Sequence, residues 1–148
     1  MIKPILLVED NPNDLELTLT ALARTGLANE VVVARDGAEA RDYLFRTGAH
    51  QDRLPENPTV VLLDLKLPKI DGLELLRMIR AHEETCNVPI VILTSSREDS
   101  DLAAGYELGS NAYVVKPVIL DDFFKAIQDL GIFWAVLNQP PPPGSRIT

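Results

Sequence analysis

The chain has 148 residues, 46% hydrophobic and 24% charged, with a formal net charge of -8. That length suits one domain core and not two, and the negative balance excludes non-specific binding to a polyanion such as DNA or RNA. Cys86 is the only cysteine, so no internal disulfide forms; a reducing cytosol is the expected home and a buried or inert thiol the expected role.

In chain order, the first apolar run, Ile5-Leu6-Leu7-Val8, is too short for a signal-peptide core. No segment nears the roughly 20 apolar residues of a membrane span, so a soluble, cytoplasmic protein is expected. Four similar runs follow: Val31-Val32-Val33-Ala34, Val60-Val61-Leu62-Leu63, Ile90-Val91-Ile92-Leu93 and Ala112-Tyr113-Val114-Val115. Their continuous hydrophobicity predicts strands buried on both faces of a parallel sheet, the second run being the candidate edge strand.

Amphipathic segments separate the runs. Asn13 or Asp14 is the expected cap of a first helix carrying Leu15, Leu19, Leu22 and Ala23, which Gly26 stops. Asp36-Gly37 opens a second, with Ala40, Tyr43 and Leu44 inward, and Asp71-Gly72 opens a third, with Leu73, Leu76, Ile79 and Arg80. A fourth follows Ser96 to Asp99 and carries Leu102, Ala103, Tyr106 and Leu108. Asp121 and Asp122 start a fifth, with Phe123, Ala126, Ile127 and Leu130. Such alternation predicts an α/β fold with a doubly wound, five-stranded parallel sheet over residues 1–130.

Two segments depart from the rhythm. Residues 49–58, with Pro55 and Pro58, read as a polar loop before the third strand. Residues 131–148 form a C-terminal extension, apolar through Ile132-Phe133-Trp134-Ala135-Val136-Leu137 and then proline-rich. Leu120, Phe123, Phe124, Ile127 and Leu130 continue at near-helical spacing into Trp134 and Leu137, so residues 120–137 are a candidate homodimer surface. The alternative is that Ile132 to Leu137 fold back onto their own domain.

Open parallel sheets bind ligands outside the carboxyl ends of their strands. Here those ends carry Glu9-Asp10, Asp64, Thr94-Ser95 and Lys116-Pro117. Three carboxylates on one rim repel one another and call for a cation, and oxygen ligands with water suit Mg²⁺ or Mn²⁺ rather than zinc. Neither His50 nor His82 stands at a strand end. A lone acid in this position is ordinarily a helix cap or a solvated charge, and Asp10 can be read as a cap of the first helix. The joint arrival of Glu9, Asp10, Asp64, Thr94 and Lys116 favours chemistry instead. Asp64 is a candidate nucleophile toward phosphorus, Thr94 a hydroxyl donor to the transferring oxygens, and Lys116 a mobile point charge for the same group. Pro117 is a candidate for a cis bond that aims the lysine inward.

Leu7-Val8-Glu9-Asp10-Asn11, Leu62-Leu63-Asp64-Leu65-Lys66-Leu67-Pro68-Lys69-Ile70-Asp71-Gly72, Leu93-Thr94-Ser95 and Tyr113-Val114-Val115-Lys116-Pro117 resemble the receiver domain of two-component response regulators, which has a flavodoxin-like fold. The resemblance spans about residues 3–130. It implies that Asp64 is the phosphoacceptor, that Glu9 and Asp10 are the acidic pair, and that the Lys66 backbone carbonyl is a further ligand of Mg²⁺. It also implies a switch formed by Thr94 and Tyr113, a sensor histidine kinase as phosphoryl donor, and a downstream protein as reader. Self-phosphorylation and self-dephosphorylation would be the only chemistry. The 49–58 loop and Phe133-Trp134 further resemble the small stand-alone regulators paired with bacterial and cyanobacterial phytochrome kinases.

Rival readings fit less well. A phosphatase with an aspartyl-phosphate intermediate, of the haloacid-dehalogenase kind, wants a second aspartate two residues after the nucleophile, where this chain has Lys66. A flavodoxin-like cofactor binder needs a phosphate-cradling loop where Glu9-Asp10-Asn11-Pro12 would repel phosphate. No basic helix-turn-helix follows residue 130 to make a DNA-binding regulator. A phosphorylation-dead receiver would have lost a signature residue, and none is missing.

Overall fold

The computed structural model describes residues 3–24, 29–53, 56–95 and 112–130. The apolar runs become five strands: β1 (Ile5–Val8), β2 (Val31–Ala34), β3 (Val60–Asp64), β4 (Ile90–Thr94) and β5 (Ala112–Val115). They form one parallel sheet in the order β2-β1-β3-β4-β5. β1, β3 and β4 are buried throughout, which explains their unbroken hydrophobicity. β2 is an edge strand as expected, with Val31, Val32 and Val33 half-buried. β5, the other edge, alternates buried and half-buried residues, unlike the fully buried strand its composition suggested.

Four helices lie among the described residues: α1 (Pro12–Ala23), α2 (Gly37–Phe45), α3 (Gly72–Ala81) and α4 (Leu120–Asp129). One face of the sheet packs Ile5, Leu7, Leu62 and Leu93 against Leu15 and Leu22 of α1 and Phe123 and Ile127 of α4. The other packs Leu6, Val8, Leu63 and Ile92 against Tyr43 and Leu44 of α2 and Leu75, Leu76 and Ile79 of α3. Each such side chain contributes about 1.5–3 kcal/mol on burial, so the sheet is a stiff platform for its rim.

The helix starts refine the sequence reading. α1 is capped by Asn11, whose Oδ1 accepts Asn13 N–H at 2.9 Å and Asp14 N–H at 3.0 Å, with Pro12 at the first helical position. Neither Asn13 nor Asp14 is the cap, and Asp10 is not needed as one. Asp36 caps α2 through Glu39 N–H at 2.7 Å, as expected. α4 begins at Leu120, with Asp121 and Asp122 in its first turn. There their charge complements the helix dipole. The polar loop after α2 includes a 3₁₀ turn at Gly48–His50. The expected helix over 96–108 and the extension over 131–148 lie outside the described residues.

β1 pairs with β2 on one side and β3 on the other. Connections therefore leave β1 in one direction and later return across it, which opens a crevice at the carboxyl ends of β1 and β3.

Candidate active site at the carboxyl edge of the sheet

The backbone brings the acids together. Glu9 follows β1 and is fully buried. Its Oε2 accepts Asn11 N–H at 3.3 Å. Its Oε1 lies 2.7 Å from Lys116 Nζ as an ion pair, yet among the described residues no donor meets it in hydrogen-bond geometry. Asp10 is exposed beside it. Asp64 ends β3 and is 7% exposed. Oδ1 of Asp64 accepts Lys66 N–H at 3.1 Å, and Oδ2 accepts Lys116 Nζ–H at 3.1 Å. Carboxylate oxygens of Glu9, Asp10 and Asp64 lie within 4.8 Å of one another.

Local structure explains these positions. Gly72 N–H donates to Leu65 O at 2.9 Å, folding the start of α3 onto the end of β3. A Cβ on Gly72 would sit 2.5 Å from both Asp64 O and Leu65 Cα, so this close approach requires glycine. Lys116 N–H donates to Thr94 O at 2.7 Å, tying the lysine to the end of β4. The Lys116–Pro117 bond is cis.

The charges are strongly coupled. Burial pushes the Glu9 carboxyl up to about 7, with neighbouring Asp64 adding to the rise and Lys116 opposing it. Burial pulls the Lys116 ammonium down, but its contacts with Glu9, Asp64 and Asp14 outweigh this and hold it above its ordinary value. One ammonium among the acids, and a buried carboxylate oxygen without an aligned donor, leave an excess of negative charge. That donor set fits Mg²⁺ or Mn²⁺, hard cations with oxygen ligands.

Thr94 ends β4 beside β3 and is 4% exposed. Tyr113 is half-buried on β5 opposite Ile92, against the core shared with α2 and α3. Sequence reasoning missed Asp14, whose Oδ2 lies 3.1 Å from Lys116 Nζ. Only the EDNPND spacing hinted at it, and there it read as a cap.

Residues 5–128 match the family model of the response regulator receiver domain. The chain belongs to that family. Among solved structures, the receiver is similar to the bacteriophytochrome response regulator RtBRR, with 61% identity and a TM-score of 0.87 over 98% of this chain and 87% of the other. It is also similar to the bacteriophytochrome response regulator AtBRR, with 63% identity and a TM-score of 0.86 over 94% and 99% of the two chains. Response regulator Rcp1 of Synechocystis sp. is 38% identical over 132 residues, 89% of this chain and 88% of that one. The Mn²⁺-bound form of Rcp1 superposes with a TM-score of 0.73 at 37% identity, over 96% and 99% of the two chains. The receiver is thus a two-component response regulator of the phosphorelay type, and the reading as a phosphatase of the haloacid-dehalogenase kind is not favoured. Receivers are phosphorylated by histidine kinases and bind Mg²⁺ or Mn²⁺ in their acidic site. Among the described residues no helix is long and apolar enough to cross a membrane.

Proposed function

We propose that Asp64 is the phosphoacceptor and that a sensor histidine kinase, of the phytochrome class, supplies the phosphoryl group. One observation carries the assignment: Asp64 stands at a strand end with one oxygen on Lys116 and its carboxylate gathered with Glu9 and Asp10. The Asp64 carboxylate forms a P–O bond as the P–N bond of the kinase phosphohistidine breaks, and the imidazole leaves. Glu9, Asp10, Asp64 and the Lys66 backbone carbonyl would hold Mg²⁺, with Mn²⁺ as substitute. The chemistry such a cation would supply is neutralisation of charge on the phosphoryl oxygens.

The chain's own groups do the rest. Lys66 N–H holds one Asp64 oxygen in place, and Lys116 pairs with Asp64 before transfer and with the phosphoryl group after it. The Thr94 hydroxyl turns to the phosphoryl oxygens, and the Tyr113 ring moves inward, changing the surface that a downstream protein reads. The phytochrome pairing is supported by the likeness to RtBRR and AtBRR.

Residues 1–130 form the receiver and 131–148 an extension, with residues 120–137 as a surface for a second copy. Phe123 and Ile127 of α4 are buried in the receiver's own core, and Phe124 and Leu130 pack against it. Light scattering on the intact chain and on Phe133→Ala/Trp134→Ala tests the dimer surface, a monomeric mass for the intact chain being the adverse result.

Phosphoryl transfer from ³²P-labelled bacteriophytochrome kinases, with Asp64→Asn as control, tests the main assignment. Label should pass to the intact chain and not to the variant. Failure with phytochrome kinases but success with another histidine kinase would remove the pairing and leave Asp64 standing.

A further inference from the structure

Lys116 gathers three carboxylates around one ammonium. Its Nζ lies 2.7 Å from Glu9 Oε1, 3.1 Å from Asp64 Oδ2 and 3.1 Å from Asp14 Oδ2. Asp64 and Asp14 accept hydrogen bonds from it, and Glu9 meets it as an ion pair. Glu9 and Asp64 also belong to the acidic group that fits a divalent cation. Asp14 does not. It is the third residue of α1, and its N–H is fixed by the Asn11 cap at 3.0 Å. The cap that starts the helix therefore also sets where the Asp14 side chain emerges. That side chain is 35% exposed against 0% for Glu9, which places Asp14 on the solvent side of the ammonium.

We propose that Asp14 is a positioning residue that retains the Lys116 ammonium when a divalent cation claims the oxygens of Glu9 and Asp64. The inference rests on the proposed reading of the metal site. An ammonium and a dication sharing the same oxygens repel each other, so cation entry requires the lysine to yield at least part of its contacts. The flexible four-carbon stem of lysine allows such a shift. Asp14 offers an acceptor already in contact, outside the acidic group, so the ammonium can lean away without entering solvent unpaired. Without Asp14, the ammonium holds Glu9 and Asp64 more firmly and competes with the cation. A bland explanation also exists: an acid in the first turn of a helix complements the dipole and adds diffuse negative charge.

Calorimetric titration of the full chain with Mn²⁺ separates the two. Asp14→Asn should weaken Mn²⁺ binding about three- to ten-fold, and by less than about two-fold in a Lys116→Met background, because contacting residues couple and the coupling is lost with the lysine. Glu16→Gln removes the same charge from an exposed position on α1 and should change affinity by less than about two-fold. Equal effects of Asp14→Asn in both backgrounds, or equal effects of Asp14→Asn and Glu16→Gln, would overturn the proposal. Should Lys116→Met not fold, the comparison with Glu16→Gln decides alone. Absence of Mn²⁺ binding by the unmodified chain would instead overturn the metal-site reading, and this inference with it.

Discussion

Asp64 and Lys116 are 52 residues apart in the chain, yet Oδ2 and Nζ meet at 3.1 Å. They meet because β3 and β5 flank β4 in a parallel sheet and end on the same edge. The lysine offsets carboxylates that are nearly excluded from water, and removing one partner of a buried pair leaves uncompensated charge. Lys116→Met should therefore lower unfolding stability without divalent cation by about 3 kcal/mol. Mg²⁺ should recover part of that loss, since a cation bound only by the folded state stabilises it. Urea unfolding with and without Mg²⁺ measures both, and an unchanged midpoint in the metal-free variant would refute the claim.

Gly72 supports the acceptor from beneath. A Cβ there meets backbone atoms of Asp64 and Leu65, which cannot rotate aside as a side chain can. Gly72→Ala should cost about 1–3 kcal/mol and slow phosphorylation of Asp64 by displacing its backbone. Thermal unfolding and the acetyl phosphate labelling rate check the two effects. Normal labelling in a destabilised variant would confine the glycine's role to packing.

Arg53 ties the loop after α2 to the body of the protein. Its Nε donates to Tyr43 O at 2.7 Å, Nη2 to Leu44 O at 3.3 Å and Nη1 to Glu56 O at 2.6 Å. The guanidinium also lies 4.2 Å from the Tyr43 ring centroid. A planar fork makes these contacts together and an ammonium cannot. Arg53→Lys should cost about 1.5–3 kcal/mol and speed limited proteolysis within residues 48–58. Wild-type cleavage rates would contradict this role.

Asp36 predicts a pH dependence. Its carboxyl is held below the ordinary value of 3.8, first by Glu39 N–H against some desolvation, and then by Lys69. The folded state therefore prefers the ionised form. The stabilisation is fully present above the ordinary value and is lost as pH falls through the lower folded value. Asp36→Ala should cost about 1 kcal/mol at neutral pH, and the difference from the unmodified chain should narrow as the pH drops below 3.8. Denaturant unfolding across that range measures it; a difference that grows in acid would reverse the sign.

The strands that carry the site were legible because double burial demands unbroken apolar runs, and Glu9-Asp10, Asp64 and Thr94 terminate three of them. Edge strand β5 was less so, since its half-buried residues Tyr113 and Val115 are as apolar as its buried ones. The α1 cap was misplaced by two or three residues because Asn11, Asn13 and Asp14 have similar capping chemistry. Only backbone direction separates them. Asp14 as a partner of Lys116 was hidden by a separation of 102 residues. Arg53 lies in a segment whose polar composition gives no sign of its carbonyl partners. Local chemistry marks the ends of elements; pairing between distant ends follows from strand order.

Intact mass with peptide mapping, after incubation with acetyl phosphate and Mg²⁺, tests the central claim most directly. The unmodified chain should gain one phosphoryl group, mapped to the peptide containing Asp64, and Asp64→Asn should gain none, since the amide is a poor nucleophile of nearly the same shape. Labelling that persists in Asp64→Asn, or that maps to Glu9 or Asp10, would contradict the account.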